Sequence, residues 1–316
     1  MKKIILSNLL IFFFLFCIVE LASYLYIKYN AKEYMDNYNK AAKEANLTLL
    51  TQRYAPIRII DQDKFDNWRA IDYGDKDKPS ILFFGCSYIY GFLNDQNETL
   101  PYYITERTGR TTVNRGVPGG CILNMFHDLR SETFYNQIKD IPEPDYVIYM
   151  WINDHLNRIA NPYTSTVTYV DCPFYEVKPD WEYKDGKLVE IPIQKWKLPF
   201  YALYCSKAWH YLYAEKFAFE DRNSKMLRYF ITARNICKDK FPKAEFIIIE
   251  YKDGSFSCMR PELKNALKKE NIRVFNAEDL AGHELENDKW RANDQEHPNG
   301  KAFSDIADGL IKQLKL

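Results

Sequence analysis

The chain has 316 residues, with 43 Lys plus Arg against 43 Asp plus Glu, and this balance excludes the basic surface that nucleic-acid binding requires. Hydrophobic residues make up 47% and aromatic residues 16%, which excludes a disordered polymer and leaves ample material for a buried core. The seven cysteines contain no CxxC pair, so a structural zinc site is not indicated. Disulfides outside the cell stay open, but their pairing is not readable.

Residues 1–29 read as an N-terminal signal anchor. Lys2 and Lys3 precede an apolar run over residues 4–27, and Tyr24, Tyr26, Lys28 and Tyr29 suit a membrane interface. Twenty-odd helical residues at about 1.5 Å each cross a hydrocarbon core of roughly 30 Å. A cleaved signal peptide and a buried hydrophobic helix are the rival readings, and Glu20 is the residue a bilayer tolerates least. Lys2 and Lys3 favour an inside N-terminus. The expectation is therefore a single-pass protein of the cell membrane, with the lipid bilayer as a partner and an extracytoplasmic domain. Residues 30–60 read as a stalk and 61–316 as that domain.

From residue 61 strands and helices alternate. The predicted strands are "SILFFG" (80–85), "TTVNRG" (111–116), "DYVIYMW" (145–151), "AEFIIIEY" (244–251) and "IRVFNA" (272–277). Such short, nearly continuous apolar runs suit strands buried on both faces. Helices are expected over "NETLPYYITERTG", "SKMLRYFITARNICKDKF" and "PELKNALKKEN". A last one carries Phe303, Ile306, Leu310, Ile311 and Leu314 at helical spacing. This order predicts an α/β fold, a three-layer α/β/α sandwich around a parallel five-stranded sheet of the flavodoxin-like kind. Residues 156–222 break the alternation and read as an insertion on the sheet's C-terminal edge, with a hairpin turn at Asp185-Gly186. Its Trp181, Trp196, Tyr201, Tyr204 and Trp209 suit either a platform for sugar rings or a small auxiliary core.

Ser87 follows the first predicted strand in "FFGCSYIYG". A serine at that turn presents its hydroxyl at the open end of the sheet, beside unpaired backbone N–H groups; it is equally a helix cap. Asp294 and His297 stand three apart in "NDQEHPNG", a spacing that sets a carboxylate against an imidazole and equips it as a base for a serine. Read alone, they too are a helix start. "NRGVPGG" offers the amide of Gly119, and "MWINDHLNR" offers Asn153 and Asp154, each after a predicted strand.

Together, in this order, the blocks "FFGCSYIYG", "NRGVPGG", "INDHL" and "DQEHPN" resemble the SGNH hydrolase superfamily, the GDSL esterase/lipase family, from about residue 78 to the end excepting 156–222. The resemblance implies Ser87 as nucleophile and His297 as general base and then acid, oriented by Asp294. It implies an oxyanion hole made by the N–H groups of Ser87 and Gly119 with the Asn153 side chain. It implies no metal and no organic cofactor. Two departures stand out: Cys86 holds the place of the usual Asp, and Trp151 and Ile152 replace glycines before Asn153. The thiol reads as a small packing group, with a nucleophilic role as its rival. Trp151, narrowing an acyl pocket, and His155, lining the cleft, are candidate substrate contacts.

The expected reaction is removal of a small acyl group, acetyl foremost, from an extracytoplasmic glycan or related ester. Two alternatives remain. An O-acyltransferase would pass the acyl group to a cell-envelope polysaccharide, with an envelope acyltransferase as partner. An inactive SGNH-like module would bind glycan only. No nucleic-acid partner is expected.

Overall fold

The structure is a computed structural model that describes residues 11–23, 25, 69–159, 180–192, 221–252 and 258–316. Residues 11–23 are helical, and their large apolar side chains stand exposed, Phe12 by 72% and Phe14 by 64%. Among the described residues no helix is long and apolar enough to cross a membrane. The remainder of the expected 1–29 span and all of the expected stalk lie outside the described residues.

Five parallel strands form the central sheet: β1 (Ser80–Gly85), β2 (Thr112–Gly116), β3 (Pro144–Trp151), β6 (Glu245–Glu250) and β7 (Arg273–Asn276), in the order β2-β1-β3-β6-β7. They fall on the five apolar runs to within a residue or two. β1 is buried along its whole length, as a strand covered on both faces must be. Its pleat sends Leu82 and Phe84 to one face, and Ile81 and Phe83 to the other.

On the first face pack α3 (Ile122–Arg130), α4 (Glu132–Ile138), α6 (Arg222–Lys240) and α7 (Pro261–Lys269). On the second lie α1 (Ser87–Tyr90), α2 (Leu100–Thr108), α8 (Ala277–Ala281) and α9 (Gly300–Leu314). A short helix, α5 (His155–Arg158), follows β3. Local chemistry sets the ends. Thr99 caps α2 by accepting the Tyr102 N–H, and Gly109 closes it in the left-handed conformation. Asp221 caps α6 through the Ser224 N–H.

The expected hairpin forms from β4 (Asp180–Lys184) and β5 (Lys187–Ile191). Its turn residues Asp185 and Gly186 have φ of 51° and 74°, the pair of positive values that a type I′ turn needs. The hairpin docks on α6. Asp180 accepts from Tyr229 Oη at 2.5 Å and pairs with Lys225 at 2.9 Å. Trp181 is buried in the core, with the Arg130 guanidinium 4.8 Å above its ring. Trp181 therefore belongs to the auxiliary core and not to a sugar platform. Trp196, Tyr201, Tyr204 and Trp209 lie outside the described residues.

Because β1 lies between β2 and β3, the loop leaving β1 is flanked at the sheet's C-terminal edge by the loops leaving its two neighbours. In open parallel sheets this edge is where ligands bind.

Candidate active site

The turn after β1 is built around Gly85. Its φ is +148°, and a Cβ there would lie 2.8 Å from the Met150 carbonyl oxygen and 3.0 Å from Ile89 Cγ2. Only glycine fits such a close approach between strands at that backbone angle. Cys86 then caps α1 in extended conformation, its carbonyl accepting the Tyr90 N–H at 3.0 Å. Ser87 is the first helical residue, so its own N–H has no acceptor within the helix. The far end of α1 is tied down. Asn114 Nδ2 donates to the Ile89 carbonyl at 2.9 Å. Arg69 donates to the carbonyls of Tyr90, Gly91 and Asn94 at 3.0, 2.8 and 2.6 Å.

The second half of the site lies on the loop before α9. The loop closes on itself: the Ala292 N–H donates to the His297 carbonyl at 2.7 Å, and the Asn299 N–H to the Trp290 carbonyl at 3.0 Å. Gln295 makes the corner with φ of 61°. Asn299 caps α9 through the Ala302 N–H, and its Nδ2 donates to the carbonyls of Lys289 and Arg291. Within the loop Asp294 Oδ1 accepts the N–H groups of Glu296 and His297 at 3.0 Å each, and Oδ2 lies 2.5 Å from His297 Nδ1. His297 Nε2 is 2.8 Å from Ser87 Oγ, across 210 residues of sequence. The imidazole sits between the rings of Tyr88 and Phe92, each with its centroid 4.9 Å away.

Burial alone would push the Asp294 carboxyl up, but His297 and the two backbone N–H groups outweigh it and hold the carboxyl below its ordinary value. Asp294, Glu296 and His297 also form a trio with metal-ligand spacing. Both imidazole nitrogens are already engaged, so a metal there would have to displace one of those two contacts. The trio fits proton transfer better than coordination.

Gly119 and Asn153 lie on the two flanking loops. The Gly120 N–H donates to the Val117 carbonyl at 2.7 Å, and Gly119 has φ of 72°, the geometry of a type II turn with Pro118 at its second position. Among the described residues the Gly119 N–H and the Asn153 side-chain amide have no hydrogen-bond partner. The structure thus joins Ser87, His297 and Asp294 by hydrogen bonds and leaves donors on both sides of them.

No family model and no curated protein matches the sequence. Similar folds occur among solved structures. A protein described as lipolytic and of the G-D-S-L family, from Desulfitobacterium hafniense, is 9% identical over 74% of this chain and 99% of its own, with a TM-score of 0.41. An acetyl xylan esterase from the rumen bacterium Butyrivibrio proteoclasticus is 12% identical over 75% of this chain and 63% of its own, at 0.39. A protein described as a GDSL-like lipase, from Bacteroides ovatus, is 12% identical over 75% and 52%, at 0.36. At these scores the chemistry has to come from this chain's own residues.

Two expected substrate contacts are withdrawn from the surface. Trp151 is fully buried in the core on the α6 side, because it continues the inward alternation of Val147 and Tyr149 along β3. His155 is fully buried as well, its Nδ1 2.8 Å from Tyr149 Oη. Burial, with Arg158 nearby, lowers its pKa well below the ordinary value, so it is a neutral packing histidine. Cys86 is also fully buried, against the Tyr88 N–H, the Ser87 hydroxyl and the Arg158 guanidinium. Burial pushes its thiol pKa up, which suits packing and not nucleophilic attack.

Sequence reasoning did not single out Arg158. It donates to Asp154 Oδ2 at 2.7 Å through Nε and to the Gly120 carbonyl at 2.8 Å through Nη1. Nor did it find Tyr88 and Phe92 as the walls of the imidazole slot, although both lie within five residues of Ser87.

Proposed function

We propose that the chain is a serine ester hydrolase of the SGNH type. The observation that carries this reading is the single imidazole bridging Ser87 Oγ at 2.8 Å and Asp294 at 2.5 Å. A serine hydroxyl is a weak nucleophile at neutral pH, and a base within hydrogen-bond reach removes that barrier. Ser87 Oγ attacks the ester carbonyl carbon while its proton passes to His297 Nε2. Asp294, kept ionised, fixes the Nδ1–H tautomer and stabilises the imidazolium. The developing oxyanion takes hydrogen bonds from the N–H groups of Ser87 and Gly119 and from the Asn153 amide. His297 then gives the proton to the leaving alkoxide; a water, deprotonated by the same nitrogen, attacks the acyl carbon, and His297 returns that proton to Ser87 Oγ as the acid leaves.

The substrate class in this reading is an acetylated glycan outside the cell. The open cavity of about 570 Å³ lined by Asn94, Glu98, Tyr103, Asn293, Lys301 and Ser304 includes none of Ser87, Asp294, His297, Gly119 and Asn153 in its lining, so it does not bear on the substrate. Membrane attachment through the N-terminal segment is part of the same proposal. It is supported by the apolar run after Lys2 and Lys3 and by the exposed apolar side chains of residues 11–23.

A fluorophosphonate tests the chemistry directly. The wild-type chain is expected to gain one adduct by intact mass and Ser87→Ala none. An unlabelled wild-type chain, beside a control esterase that labels, would overturn the reading. Acetate release from acetylated polysaccharides then tests the substrate class.

A further inference from the structure

We propose that Arg158 is a positioning residue that holds the two sides of the oxyanion hole in register. This rests on the esterase reading above. The oxyanion donors come from separate loops, after β1, β2 and β3. The Val117 N–H, donating to the Gly85 carbonyl at 3.1 Å, ties the first two at their base; Arg158 ties the second to the third. Its Nη1 binds the carbonyl of Gly120, the last residue of the turn that presents the Gly119 N–H. Its Nε binds the carboxylate of Asp154, the residue after Asn153. The same guanidinium lies beside Cys86, the residue before Ser87. One planar fork therefore joins the loops after β2 and β3 by hydrogen bonds, across 38 residues between Arg158 and Gly120, with the loop after β1 beside it. A lysine, a point donor on a flexible stem, does not reproduce that fork.

The orientation of Asp154 supports this use. It occupies the N-cap of α5, where an aspartate ordinarily accepts a backbone N–H of its own helix, yet it makes no such cap bond. Its carboxylate is turned instead to Arg158 and to Asn157 Nδ2 at 3.0 Å. Asn157 Oδ1 in turn accepts from Arg222 at the start of α6, at 2.6 Å. The clamp is thus anchored to a long helix. Both charged side chains are largely shielded, at 13% and 17% exposure, so water competes weakly for them. Gly120 is itself constrained, since a Cβ there would meet the Val117 carbonyl oxygen at 2.7 Å.

The test uses the full-length chain with an aryl acetate as probe substrate, and compares Arg158→Gln, Arg158→Lys, Asp154→Asn and the double variant Arg158→Gln/Asp154→Asn. Misplacing one oxyanion donor should lower kcat about 10- to 100-fold with KM nearly unchanged. Arg158→Lys should fall between wild type and Arg158→Gln, and the double variant should be no worse than Arg158→Gln alone. The acid limb of the kcat/KM pH profile should stay in place. Wild-type kcat in Arg158→Gln overturns the proposal. A shifted acid limb does too, since Arg158 would then act through the triad. So do losses that multiply in the double variant. If Arg158→Gln does not fold, the isosteric Asp154→Asn reads the same outcomes. A wild-type chain that neither turns over the ester nor takes the fluorophosphonate overturns the esterase reading, and this inference with it. An active, labelled wild type matched by Arg158→Gln overturns this inference alone.

Discussion

Asp294 accepts two backbone N–H groups while facing the imidazole, so its charged form is favoured by groups that exist only in the folded chain. The sign follows from that. A carboxyl held below its unfolded value of about 3.9 contributes stability that is fully present above that pH. The contribution is lost as pH falls through the lower, folded value. Urea unfolding at a series of pH values should show wild type losing more stability below about pH 4 than Asp294→Asn loses. Equal slopes would assign the acid sensitivity elsewhere. In turnover the same variant should lose on the order of 10⁴-fold in kcat, because the wrong imidazole tautomer then faces Ser87. Cys86 gives the opposite expectation. Buried and held protonated, it should resist iodoacetamide in the native chain, and Cys86→Ala should still take the fluorophosphonate. The serine and its two partners were legible in the sequence because a three-residue Asp-to-His spacing and a glycine–serine turn leave a local trace. Trp151 and His155 were read outward because they neighbour the motif. The signal that would have placed Trp151 was the strand's own period of two, which groups it with Val147 and Tyr149. Arg158 left no trace, since its meaning depends on a carbonyl in a different loop.

Single elements hold the site in place, and two of them can be probed separately. Gly85→Ala adds a methyl group against the Met150 carbonyl at a positive φ. It should cost about 1–3 kcal/mol by urea unfolding and should displace Ser87, so that labelling slows even in folded protein. Asn299 both caps α9 and fastens the loop that carries His297. Asn299→Ala should cost about 1–2 kcal/mol and lower kcat in the same variant. Loss of stability with full activity would show that the loop holds without its cap. The strands were readable because each is buried on both faces and therefore nearly all apolar. The helices α3 and α4 were not singled out. Ile122, Met125, Phe126 and Leu129 are spaced for a helix face, but Ser131 adopts an extended backbone and cuts the stretch into two short pieces. The four-residue helices α1 and α5 are shorter than any periodic pattern can reveal.

At the scale of the whole molecule, the layers are joined by a few buried polar contacts. Arg115 on β2 pairs through two bonds, at 2.8 and 2.7 Å, with Asp128 on α3, and both side chains are almost wholly shielded. Arg115→Met leaves that carboxylate without its partner and should destabilise the fold by about 3–5 kcal/mol, measured by urea unfolding. A smaller loss would mean that water reaches Asp128. The N-terminal proposal is tested by fractionation: the full chain should stay with membranes through carbonate extraction, and a chain lacking residues 1–29 should not. Release of the full chain by carbonate would count against an anchor. The 210 residues between Ser87 and His297 have a consequence for how the protein comes into being. On the proposed reading a ribosome makes the nucleophile, Ser87, long before it makes the base, His297, and His297 is held only once α9 has docked against the rest of the domain. Every shorter nascent chain carries a serine with nothing to activate it. On the proposed reading, then, the activity is withheld until the loop before α9 has been made and has docked.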